Sequence, residues 1–99
     1  MPQKFSPSQI QDALAELDGW AADGDSLVRE LTFADHITAV GFVVRLAMAA
    51  EVMDHHPDLR IVYNRVGVRL NSHDAGGVTG RDVRLASKVN ELLRTPGGG

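Results

Sequence analysis

Three of the chain's four histidines, His55, His56 and His73, fall in one span with Glu51, Tyr63 and Asp82. Imidazole has an unperturbed pKa of roughly 6.5 and so gives or takes a proton near neutral pH. Histidines gathered beside carboxylates equip a small protein for proton transfer or for holding a metal. The densest stretch is Glu51-Val52-Met53-Asp54-His55-His56-Pro57. Glu51, His55 and His73 supply the inventory of a non-haem iron or zinc site. Against a metal, Glu-x-x-x-His is a common spacing and no other carboxylate obviously converges. Nucleophilic catalysis is weaker still, because cysteine is absent and no serine lies in a recognisable elbow.

Each residue also has a structural account. A histidine pair at a helix C-terminus interacts favourably with the helix dipole, and adjacent residues need not serve one site. Asp82 stands three positions after Thr79, the spacing of a capping box. Tyr63 is more often half-buried packing than chemistry. Glu51 is harder to explain away, because it lies in an otherwise apolar helical stripe, where a charge is costly unless paired or set at a cavity. One turn before His55, its carboxylate is placed to orient that imidazole. His73 follows the last strand, and strict alternation turns it away from the second helix unless the strand has already ended. His36 stands apart, with a solvated role.

The elements that must position these groups can be read from pattern. Ser6, Pro7 and Gln9 form the start of a helix with a capping box, and Phe5 and Ile10 are its hydrophobic staple. Ile10, Ala13, Leu14 and Leu17 continue at helical spacing until Gly19. Trp20–Asp23 and the alternating Ser26–Phe33 flank a Gly24-Asp25 turn and read as a hairpin. Asp35 caps a second helix carrying Ile37, Val40, Val44, Met48 and Glu51 in steps of three and four, reaching His55 before Pro57 closes it. Leu59 to Ser72 is strand-like but changes phase, which places a turn or bulge near Asn64-Arg65. Asp74 to Gly80 is a loop, and Thr79 caps a third helix with Val83, Leu85, Ala86, Val89, Leu92 and Leu93 on its apolar face. The order helix, two strands, helix, two strands, helix predicts an α+β domain with helices on one face of an antiparallel sheet. One domain is expected over residues 1–94, with 95–99 a disordered tail.

Composition narrows the function. The 99 residues suit one hydrophobic core. A net charge of −3 gives no general electrostatic reason to bind nucleic acid or an anionic membrane. Without cysteine there is neither a disulfide nor a thiolate metal site. The longest apolar run, Ile37 to Ala50, is broken by Arg45 and reads as a core helix, and no secretory signal is recognisable. A cytoplasmic protein is the expectation.

Taken together, Ala50-Glu51-x-x-x-His55-His56-Pro57-Asp58, Tyr63-Asn64-Arg65-Val66, His73-Asp74-Ala75-Gly76-Gly77 and Asp82 resemble the pterin-4a-carbinolamine dehydratase family. Gly19-Trp20, Phe33, Phe42-Val43 and Leu85-Ala86 fit as well, so the likeness runs from about Ser8 to Leu93. The resemblance implies a four-stranded antiparallel sheet with three helices on one face, a homodimer or homotetramer, and dehydration of 4a-hydroxytetrahydropterin without metal or other cofactor. Carried over, the catalytic residues fall on His55, His56, His73, Glu51 and Asp82. His55, His56, His73 and Tyr63 would contact the pterin. Relatives of this fold also serve as dimerisation cofactors or enzyme-assembly factors, which leaves a protein-binding role as the alternative. One departure is Leu59, where many members carry an aromatic residue near the presumed pocket edge.

Overall fold

The computed structural model describes residues 3–94, so the expectation for residues 95–99 lies outside the described residues. In chain order the elements are α1 (Pro7–Leu14), β1 (Ala21–Asp23), β2 (Ser26–Thr32), α2 (His36–Met53), β3 (Asp58–Val62), β4 (Arg65–Leu70), a 3₁₀ turn (His73–Ala75) and α3 (Gly80–Arg94). The four strands form one antiparallel sheet in the order β1-β2-β4-β3. This is the expected α+β architecture.

Alternation decides which side of the sheet is dry. Leu27 and Leu31 on β2, with Val66, Val68 and Leu70 on β4, are buried. They meet Ala39, Phe42, Leu46 and Ala50 of α2 and Leu85, Ala86 and Val89 of α3 in one core. The Phe42 ring, 1% exposed, tilts against Phe33 at 5.2 Å. Truncating a phenylalanine so enclosed costs about 3–5 kcal/mol. Trp20 joins the far edge to α3, its indole N–H donating to Asn90 Oδ1 at 2.9 Å.

Three boundaries differ from the sequence expectation. The capping box at Ser6 and Gln9 forms as read, but α1 ends at Leu14 rather than running to Gly19. Glu16 and Leu17 donate only to residues three back, a tighter turn that still buries Leu17. The β3–β4 connection is the two-residue turn Tyr63-Asn64, one position before the expected kink. Helix α2 also stops short of His55, at Met53.

The largest correction concerns which side of α2 faces inward. The stripe through Ile37, Val44, Met48 and Glu51 points out. Ile37 is 82% exposed and Met48 66%, whereas Ala39, Phe42, Leu46 and Ala50 pack on the sheet. Both stripes are apolar, so periodicity alone could not choose between them. At 18 residues and mean hydropathy 1.5, α2 has the length and composition of a membrane span, with Arg45 interrupting its apolar run. Its half-buried Arg45 sits over the Phe42 ring and donates to the Leu92 carbonyl, which ties the helix to α3.

Candidate active site

The site is built where α2 ends. Asp54 adopts a left-handed conformation (φ 52°, ψ 42°) and its N–H turns back to the last helical turn. The His55 N–H donates to the Ala50 carbonyl and that of Asp54 to Glu51, the paired bonds of a Schellman ending. Aspartate tolerates this region better than most residues with a Cβ. The helix therefore ends by its own backbone motif before Pro57 can stop it, and Glu51 and His55 lose the one-turn relation expected of them.

The two adjacent histidines then meet different carboxylates. His55, 8% exposed, donates through Nε2 to Asp82 Oδ1 at 2.5 Å. His56 donates through Nε2 to Glu51 Oε1 at 2.7 Å, with both side chains largely in water. The expectation that Glu51 orients His55 is thus corrected: Glu51 serves His56, and Asp82 serves His55. The outward turn of α2 explains Glu51, which reaches solvent instead of the core.

Asp82 is fully buried, and a buried carboxylate needs its lone pairs filled. Its Oδ2 accepts from the Thr79 N–H at 2.8 Å and from the Ser72 hydroxyl at 2.9 Å. With that proton committed, Ser72 Oγ accepts from the Thr79 hydroxyl at 2.8 Å, and Thr79 Oγ1 accepts in turn from the Arg81 N–H. Asp82 is therefore both the capping residue of α3 and the partner of His55. The sequence offered these as rival readings, and one carboxylate fulfils both.

His73 lies just beyond β4, which has ended at Leu70, so strand alternation no longer governs it. It is exposed on the 3₁₀ turn. Asp74 beside it pairs with Arg81, and that hydrogen bond holds the Asp74 carboxyl below its usual range. His73 and His56 wall a pocket of about 240 Å³ completed by Pro57, Asp58, Arg69 and Asn71. The buried pair adjoins this pocket through the chain. His55 precedes His56, and Ser72, bonded to Asp82, sits between Asn71 and His73.

Two expected contributors lie elsewhere. Tyr63 occupies the turn at the opposite end of β3, five residues from Asp58 and so about 16 Å along the strand. Its carbonyl accepts from His36 Nδ1 at 2.7 Å and the two rings stack. Its φ of 52° is unusual for so bulky a residue. Leu59 pairs with Val68 and packs against the core, so the aromatic it replaces would face the helices rather than the pocket. Glu51, His55 and His73 do not converge as a ligand set. Among the described residues no three His, Cys, Asp or Glu side chains are grouped to hold an ion.

Asp58, Arg69 and Asn71 were not singled out from sequence. Their signal was parity: Arg69 and Asn71 alternate with buried Val68 and Leu70, which put them on the open sheet face leading to His73. Thr79 was read only as the cap of α3, and Ser72 was visible only once Asp82 had a partner.

An α+β domain with two histidine–carboxylate pairs beside a polar pocket is a scaffold for acid–base chemistry. The chain belongs to the pterin 4 alpha carbinolamine dehydratase family, whose model matches residues 3–92. A provisionally named pterin-4-alpha-carbinolamine dehydratase from Afipia carboxidovorans is 52% identical over 94 residues, spanning 93% of this chain and 94% of its own. One from Mesorhizobium japonicum is 51% identical, spanning 92% and 95%. The crystal structure of a transcriptional coactivator/pterin dehydratase from Brucella melitensis superposes with a TM-score of 0.87 at 40% identity, covering 91% of this chain and 98% of that one. A pterin dehydratase-like RuBisCO assembly factor of the alpha-carboxysome shares the fold alone, at TM-score 0.63 and 17% identity over 78% and 89% of the two chains.

Proposed function

We propose that this protein is a cytoplasmic dehydratase that converts 4a-hydroxytetrahydropterin to quinonoid dihydropterin and water, in recycling of a pterin cofactor. The C4a hydroxyl leaves once protonated, the lone pair of the neighbouring ring nitrogen drives out water, and that nitrogen then loses its proton. One general acid and one general base suffice. The observation that carries this reading is the pocket walled by His56 and His73, each next in sequence to a member of the buried network of His55, Ser72 and Asp82. His55 and His73 perform the proton transfers, and His56 binds or polarises the pterin. Asp82 and Glu51 fix the rings of His55 and His56 through Nε2, which leaves Nδ1 of each neutral ring as the acceptor.

The test follows decay of 4a-hydroxytetrahydropterin by ultraviolet absorbance. The protein should accelerate it saturably, and His55→Ala and His73→Ala should each lower turnover by about 10²-fold. Wild-type turnover in both variants would overturn the assignment.

The outward stripe of α2 supports a homo-oligomer. Ile37, Val44, Met48 and Val52 lie along one side of a helix about 27 Å long, and so extended an apolar strip marks a contact surface. A second copy of this chain covers it, and Met48→Glu should lower the mass measured by light scattering. Unchanged mass would remove that role from α2. The same strip favours the alternative of a non-catalytic protein-binding factor, which well-folded protein with no effect on the pterin would support.

A further inference from the structure

Asn71 forms part of the wall of the histidine pocket, yet its own support lies outside that pocket, at the Gly24-Asp25 turn between β1 and β2. We propose that Asp25 and Ser26 at this turn are positioning residues for the site. Acting through Asn71, they hold its amide with the oxygen free to accept a hydrogen bond from a ring N–H of the pterin. The proposal rests on the dehydratase reading and deepens it, by assigning work to three residues that the acid–base chemistry does not use.

Register brings the three together. The ladder between β2 and β4 pairs Leu27 with Leu70, and its next step sets Ser26 opposite Asn71. Both have the parity of the open sheet face, where a serine ordinarily meets water. Ser26 is instead 0% exposed. A hydroxyl out of water needs one partner for its proton and another for its oxygen. The proton goes to Asp25 Oδ1 at 2.9 Å, and the oxygen accepts from Asn71 Nδ2 at 3.1 Å.

This chain of bonds runs in one direction only. An ionised carboxylate accepts and does not donate. The Ser26 hydroxyl beside Asp25, with a smaller effect from the Asn71 amide, holds its carboxyl below the ordinary value of 3.8. The Ser26 proton is therefore committed to Asp25, and Ser26 Oγ faces Asn71 as an acceptor. Turning the Asn71 amide over would set oxygen against oxygen. The NH₂ end faces Ser26, and Oδ1 is the end left over. Among the described residues Oδ1 has no hydrogen-bond partner and is not sealed from solvent.

A neutral acceptor suits this wall. The pyrimidine ring of a pterin carries a ring N–H that donates, and an amide oxygen can hold it without favouring a protonated ring, as a carboxylate would. Proton traffic is then left to the histidines. Because Asn71 is fixed before the ligand arrives, it loses less freedom on binding. Ser72, the next residue, is held from the other side by Thr79 and Asp82, so the wall is fixed from two directions.

The experiment is a double-mutant cycle on KM, and on the Kd of an oxidised pterin followed by fluorescence. Asp25→Asn is the diagnostic variant, because Asp25 is exposed and outside the pocket. Its new amide can donate to Ser26 Oγ, which frees the Ser26 proton for Asn71 and lets that amide turn over. KM and Kd should rise about fivefold to tenfold, the scale of one hydrogen bond, with a smaller change in kcat. Asn71→Ala should raise both by a similar factor, and Asp25→Asn added to it should do nothing further. Methylating the ring N–H of the probe should abolish the advantage of wild type over Asn71→Ala. Asp12→Asn removes the same charge from an exposed site on α1 and should leave KM and Kd unchanged. Wild-type KM and Kd in Asp25→Asn, an effect that persists when Asn71 is alanine, an equal effect from Asp12→Asn, or an advantage kept with the methylated probe would overturn the proposal. If Kd follows the expected pattern while even wild type fails to accelerate dehydration, the dehydratase reading falls and the positioning network stands.

Discussion

His55 and His56 are neighbours in sequence, each donates from Nε2 to one carboxylate oxygen, and the two bonds differ in length by only 0.2 Å. Their surroundings differ in almost every other respect. Glu51 and His56 are five residues apart, in water, joined by what the chain can do locally. Asp82 reaches His55 across 27 residues and is itself held by Ser72 and Thr79 out of solvent. A pair in water competes with hydration and is worth little. A pair out of water is expensive to leave half-made, because the remaining donors then face nothing. The comparison teaches that two similar bonds can divide the labour, one fixing a ring firmly and the other merely biasing it.

The sharpest way to break this contrast is Asp82→Asn. One end of the amide becomes a donor and must oppose either the His55 N–H or those of Ser72 and Thr79. We expect a loss of about 2–4 kcal/mol in urea unfolding, with turnover lower by about 10²-fold. Glu51→Gln keeps an acceptor for His56 and removes only a solvated charge. It should change stability by less than about 0.5 kcal/mol and turnover by a few-fold at most. Equal losses from the two substitutions would show that burial is not what separates the pairs.

The smallest effect extends the comparison to the other end of α2. Asp35 accepts from the Thr38 N–H at 2.8 Å, and that bond holds its carboxyl below the ordinary value of 3.8. Because the folded pKa is the lower one, this contribution is complete above about pH 3.8 and is lost as the pH falls through the folded value. Asp35→Asn keeps a capping oxygen that does not titrate. The advantage of wild type over this variant, read from melting temperatures, should therefore shrink between pH 5 and pH 2, as about one ionisation's worth. A constant gap across that range would show that Thr38 does not favour the charged form.

Local rules carried much of the fold. Ser6, Pro7 and Gln9 announced α1, Asp35 announced α2, and the parity change between Leu59 and Val66 announced the hairpin turn, because each depends on residues within a few positions. The inward face of α2 was not readable that way. Its two stripes are similarly apolar, and the choice falls to the sheet and α3, which Ala39, Phe42, Leu46 and Ala50 fit closely. The same limit applied to the site. The residue types were plain, but Glu51 went to the wrong histidine because the left-handed Asp54 ends the helix two residues early. Tyr63 looked close in number and lies a full strand away.

The loop that presents His73 is tied at its base. Ser72 pairs with Gly77 through the backbone and with Thr79 through their hydroxyls, so the strain of a change at Ala75 or Gly76 stops at that knot before it reaches Asp82. In evolutionary terms this makes the loop a replaceable cassette. Its length and its rim can drift with the substrate, while the anchored imidazole behind it stays where it is.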